Sequence, residues 1–88
     1  MKKILVLIAP GFEEIETITI VDILRRAGAR VTLGATVKGN IKGSRGIKIK
    51  PDELLDNILQ NDFDLICLPG GQPGTENLKN DARIIKIL

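Results

Sequence analysis

The run Ile4-Leu5-Val6-Leu7-Ile8-Ala9, closed by Pro10-Gly11, constrains this chain more than any other segment. Successive side chains of a strand point to opposite faces, so a run with no polar residue at either parity needs cover on both sides. Such a strand belongs inside a parallel sheet, and this one is read as the first and central strand. Lys2 and Lys3 precede it as they would the apolar part of a signal peptide. The run ends too soon for that role, at Pro10-Gly11 and an acidic segment, and is too short to span a bilayer.

The spacing from Glu13 to Ala27 predicts a helix, with acidic residues in the first turn, Arg25 and Arg26 in the last, and Gly28 as the stop. Arg30 to Ala35 then reads as a second strand, giving a right-handed βαβ unit. Between Thr36 and Lys50, Gly39-Asn40, Gly43-Ser44 and Gly46 mark turns, and the alternation Ile47-Lys48-Ile49-Lys50 predicts a half-exposed hairpin at the sheet edge. Pro51-Asp52 can open a short helix through about Gln60. Phe63 to Leu68 reads as a buried strand ended by Pro69-Gly70-Gly71, and residues 81–88 as a last helix carrying Ile84, Ile85 and Leu88. The fold class is α/β with a mainly parallel sheet.

Three parallel strands and a hairpin make an incomplete sheet, since doubly wound sheets normally have five or more strands and an uncovered edge is a liability. The expectation is that residues 1–88 are the N-terminal part of a single domain, completed by a continuation or by another polypeptide.

Composition narrows the function. The only aromatic residues are Phe12 and Phe63, and the net charge of +2 is spread without a basic stripe, so no stacking platform or phosphate-binding face for nucleic acid is predicted. With one cysteine and no histidine, a disulfide framework is excluded and the commonest metal ligand and general base is missing. A cytoplasmic setting, with no membrane partner and no metal, is expected.

Among residues that could carry chemistry, Glu16 is singled out by phase. Glu16, Ile20, Ile23, Leu24 and Ala27 share one helical stripe, which would bring a carboxyl against the sheet. A carboxyl buried there must be hydrogen-bonded, protonated, or both, and could then steady a neighbouring anion. The plainer alternative makes it the last acidic residue of a dipole-favoured first turn. Glu13 and Glu14 are read as members of a solvated first turn.

Gly70-Gly71 follows a strand at the carboxyl edge of the sheet, where open α/β folds place ligands, and could leave N–H groups free for an oxyanion or simply form a turn. Arg45, in Ser44-Arg45-Gly46, could hold a carboxylate, pair with a second subunit, or be an exposed turn residue. Cys67, inside an apolar strand and without a histidine to activate it, is read as a small buried hydrophobe rather than a nucleophile. A phosphoacceptor receiver domain would need an aspartate where this chain has Pro69-Gly70, and Asp62 and Asp64 stand at the wrong edge.

The segments Ala9 to Thr17 (Ala-Pro-Gly-Phe-Glu-Glu-Ile-Glu-Thr), Val21 to Gly28, Gly43 to Gly46, and Asp64 to Leu78 with its Leu-Pro-Gly-Gly piece together resemble the ThiJ/PfpI superfamily. That superfamily includes a Parkinson-disease-associated deglycase and bacterial proteins labelled as thiazole biosynthesis enzymes. The resemblance implies a flavodoxin-like, class I glutamine amidotransferase-like three-layer fold, here incomplete, and a cysteine nucleophile held at low pKa beside a protonated glutamic acid. Glu16 matches that glutamate, Gly70 and Gly71 match glycines whose N–H groups lie near the nucleophile, and Arg45 matches an arginine that approaches the pocket, commonly across a dimer interface. The nucleophilic cysteine itself would lie beyond Leu88. The resemblance further implies a homodimer, glyoxalase or deglycase chemistry on small reactive dicarbonyls, chaperone, redox-sensing or peptidase roles in other branches, and no cofactor.

Overall fold

A computed structural model of the chain describes residues 2–59 and 61–70. β1 (Lys3–Ile8) lies between β2 (Arg30–Ala35) and β6 (Leu65–Cys67), with β5 (Glu53–Leu54) outside β2, in a four-stranded parallel sheet of order β5-β2-β1-β6. The register sets Val6 between Leu33 and Cys67, and the apolar run is interior to the sheet as its composition demands. α1 (Glu14–Arg26) links β1 to β2, and β3 (Ile41–Lys42) pairs with β4 (Lys48–Ile49) as a separate antiparallel ribbon.

The two parities of β1 build two cores. Ile4, Val6 and Ile8 pack with Phe12, Val21, Val31, Leu33 and Ile41, while Leu5, Leu7 and Ala9 pack with Leu55 and Ile58. Each fully buried aliphatic side chain contributes about 1.5–3 kcal/mol, so this one strand supplies much of the driving force on both faces. Gly34 of β2 allows the second core to close, because a side chain there would meet Ile58 at 3.0 Å and Leu5 at 3.1 Å.

α1 is capped at both ends. The Glu13 carboxylate accepts from the Ile15 and Glu16 N–H groups at 3.2 and 2.8 Å, an N-cap made by a longer side chain than the usual Ser, Thr or Asp. At the other end Ala29 N–H donates to Leu24 O and Gly28 N–H to Arg25 O, both at 3.1 Å, with Gly28 at φ +92°. This is the Schellman arrangement, and it needs a residue tolerant of positive φ.

The buried stripe of α1 differs in phase from the expected one. Glu14, Thr17 and Val21 are buried, Ile20 and Leu24 are half-buried, and Glu16, Ile23 and Ala27 are exposed. Phe12, seated in the core at 1% exposure just before the helix, helps fix this rotation.

Three other expectations are corrected. The predicted helix after Pro51 is replaced by β5 and a single 3₁₀ turn, Leu55–Asn57. Asp52 accounts for the change: its N–H donates to Leu33 O and its carboxylate accepts from Leu33 N–H, both at 2.8 Å, extending the β ladder where a helix would have begun. Arg25 adds a 2.8 Å ion pair to the same carboxylate. The ribbon of β3 and β4 stands apart from the parallel sheet, whose edge is taken by β5, and it reaches the core through buried Ile41 and half-buried Ile49. The last described strand is shorter than predicted and Leu65 is exposed. Asp64 repeats the Asp52 device there, exchanging two 2.8 Å hydrogen bonds with the Lys3 backbone. The predicted helix over 81–88 lies outside the described residues.

Among the described residues, Thr17 Oγ1 is buried without a hydrogen-bond partner. An unsatisfied buried hydroxyl is costly, so Thr17→Val should stabilise the chain by about 1 kcal/mol, read as a higher midpoint in urea unfolding. A lower midpoint would mean that the hydroxyl is satisfied in solution.

Candidate functional site

The carboxyl end of the sheet is organised by the turn from β1 into α1. Three backbone hydrogen bonds gather other segments there: Gly11 N–H to Lys42 O at 2.9 Å, Ser44 N–H to Phe12 O at 2.8 Å, and Glu13 N–H to Gly70 O at 3.0 Å. The ribbon turn and the end of β6 are thereby fastened to the same helix N-terminus.

Glu16 and Gly70 meet directly. Gly70 N–H donates to Glu16 Oε1 at 2.8 Å, and Gly70 O accepts from Glu13 N–H, so both backbone polar groups of Gly70 are engaged at the N-terminal end of α1. A Cβ at position 70 would lie 3.2 Å from a Glu16 carboxyl oxygen, a tight approach that the absence of a side chain relieves. Gly70 is not among the described glycines with positive φ. The Gly70 N–H expected to be free for an oxyanion is instead engaged by Glu16. Gly71 lies outside the described residues.

The Glu16 side chain is exposed, contrary to the buried stripe predicted for it. Glu14, expected in a solvated first turn, is the carboxyl that faces inward instead. Glu14, Thr17, Val21 and Leu24 follow helical spacing in phase with the sheet, and Glu14 is the buried carboxylate, 4% exposed. Its Oε2 accepts from Arg45 N–H at 2.8 Å and Ile47 N–H at 3.2 Å, and its Oε1 from Ser44 Oγ at 3.2 Å. Burial pushes this carboxyl up, but the hydrogen bonds from Arg45, its own backbone, Ile47 and Ser44 outweigh that and hold it below the ordinary value.

Arg45 is thus held through its backbone, while its side chain is exposed and makes no ion pair among the described residues. The structure does not bring its guanidinium into contact with Glu16 or Gly70. Cys67 is half-buried and burial pushes its thiol up, which suits the reading as a packing residue. Among the described residues no group of three or more His, Cys, Asp or Glu side chains is arranged to hold a metal ion, and no helix is long and apolar enough to cross a membrane.

The family model for the DJ-1/PfpI family matches residues 2–88. The chain belongs to that family. Protein DJ-1 homolog B of Arabidopsis thaliana is 47% identical over 89 residues, covering 99% of this chain and 20% of that protein. The glutathione-independent glyoxalase DJR-1.2 of Caenorhabditis elegans is 37% identical over 78 residues, covering 88% of this chain and 41% of its own length. Among solved structures, oxidized DJ-1 of Toxoplasma gondii superposes with a TM-score of 0.96 at 36% identity, with 99% of this chain and 48% of that one covered. These neighbours carry the flavodoxin-like α/β fold, and this DJ-1/PfpI chain spans about half the length of the solved relative.

Because the Glu14 carboxylate has a lowered folded-state pKa, its contribution is present above the ordinary carboxyl range and is lost as pH falls through the folded value. Amide exchange at Arg45 and Ile47, corrected for intrinsic rates, should accelerate on acidification below about pH 4 and stay flat in Glu14→Gln. Equal acid sensitivity in that variant would assign the loosening to another group.

Proposed function

We propose that residues 1–88 form the N-terminal part of a single DJ-1/PfpI domain whose complete form acts through a cysteine beyond Leu88. The observation that carries this reading is the 2.8 Å bond from Gly70 N–H to Glu16, which fixes a carboxylate at the carboxyl end of the sheet. That edge is where open α/β folds place their chemistry.

In this reading the substrates are small reactive dicarbonyls or their adducts, as for a glyoxalase or deglycase, and no cofactor takes part. The family membership and the relative described as a glyoxalase support that class. Glu16 tunes the thiol by donating a hydrogen bond from its free carboxyl oxygen to the thiolate, which favours the thiolate. With its own N–H committed to Glu16, Gly70 positions the loop, and the following N–H of Gly71 is the oxyanion donor. Arg45 binds the oxygen atoms of the substrate, in a homodimer. A second reading, non-enzymatic sensing of oxidative stress with or without chaperoning, draws on the description of the Toxoplasma structure as oxidized.

Methylglyoxal consumption separates the possibilities. Residues 1–88 alone should be inactive and the complete protein active, and activity of the short chain would overturn the proposal. Glu16→Leu in the complete protein should raise the thiol pKa by about one unit or more, and an unchanged thiol titration would remove Glu16 from its role. A complete protein that takes up oxygen at its cysteine but leaves methylglyoxal untouched would favour sensing.

A further inference from the structure

We infer that Glu14 is a positioning residue for Arg45, setting through the Ser44–Ile47 turn where the guanidinium is presented. The inference rests on the proposed role of Arg45 as a substrate-binding group and adds what holds it in place.

The turn cannot hold itself. Its own backbone bonds are Gly43 N–H to Ile47 O at 2.8 Å and Gly46 N–H to Gly43 O at 3.1 Å, and Gly46 sits at φ +88°. The Arg45 and Ile47 N–H groups find no carbonyl in the ribbon. Both converge on Glu14 Oε2, while Ser44 Oγ donates to Oε1. One carboxylate therefore closes three positions of the turn, with Arg45 in their midst.

Gly43 shows how closely the fit is drawn. A Cβ there would stand 2.5 Å from the Glu14 carboxyl carbon and 2.6 Å from Oε2, so any side chain at position 43 displaces the carboxylate. Ser44 N–H, donating to Phe12 O, ties the turn a second time to the residue that orients α1.

Glu14 is too buried to touch a substrate and acts only through what it holds. Its charge is spent on backbone N–H groups and the Ser44 hydroxyl, so the Arg45 guanidinium keeps its charge for an external anion or polarised carbonyl. A long side chain on a loosened turn loses its aim, and displacement by about an ångström is enough to weaken a positioned contact severely.

The test measures methylglyoxal turnover by the full-length protein, with kcat and KM determined separately. Arg45→Ala, Glu14→Ala and Gly43→Ala should each raise KM about tenfold with kcat within about threefold. Glu14→Gln, whose carbonyl oxygen can replace Oε2 and whose amide can donate to Ser44 Oγ, should restore KM to within about threefold. The Glu14→Ala/Arg45→Ala double variant should be no worse than the more damaged single variant. Gly43→Ala leaves Glu14 itself in place and decides the matter if Glu14→Ala does not fold.

If Arg45→Ala raises KM while Glu14→Ala and Gly43→Ala keep the wild-type value, the inference falls and the role of Arg45 stands. A loss confined to kcat or to thermal stability in those two variants also overturns it. If Arg45→Ala leaves KM unchanged, or the wild-type protein does not turn over methylglyoxal, the underlying reading fails and takes the inference with it.

Discussion

Burial of β1 on both faces is the constraint from which the rest of the structure follows. Its even-numbered side chains require a layer on one side, which α1 and the ribbon residue Ile41 supply. Its odd-numbered side chains require one on the other, which Leu55 and Ile58 begin. Parallel neighbours on both sides then force crossover connections, and these bring the loops after β1 and β6 to one end of the sheet. The candidate site stands there because the strand that builds the cores ends there.

At that end three glutamates within one helical turn do three different things. Glu13 caps its own helix, Glu14 holds the Ser44–Ile47 turn, and Glu16 holds the Gly70 N–H. The division follows from geometry. Glu13 precedes the helix and faces its free N–H groups; Glu14 points toward the sheet and ribbon; Glu16 projects past the turn toward the end of β6. An acidic first turn is usually explained by the helix dipole alone, and here the dipole accounts for the residue type but not for the partners.

Much of this was legible in the sequence because it rests on periodicity. The aliphatic run gave β1, the Gly28 stop gave the end of α1, and β2 was read with its observed limits. The rotation of α1 was misread by starting the stripe at Glu16. Starting it from the core residues Thr17 and Val21 would have turned Glu14 inward and exposed its role. The segment after Pro51 was misread because local spacing allows a helix there, while the Asp52 carboxylate finds the Leu33 backbone, a partner distant in sequence. Side chains that bond to a neighbouring strand leave no periodic trace, and Asp64 on Lys3 is a second example.

The central proposal is that this DJ-1/PfpI chain carries a preset carboxyl group, that of Glu16, for a cysteine nucleophile beyond Leu88. A crystal structure of the complete protein at neutral pH tests it most directly. The account predicts Glu16 still bonded to Gly70 N–H, with a cysteine Sγ within hydrogen-bond reach of the other carboxyl oxygen, at about 3–4 Å. A Glu16 turned to solvent, or every cysteine far from it, would contradict the account.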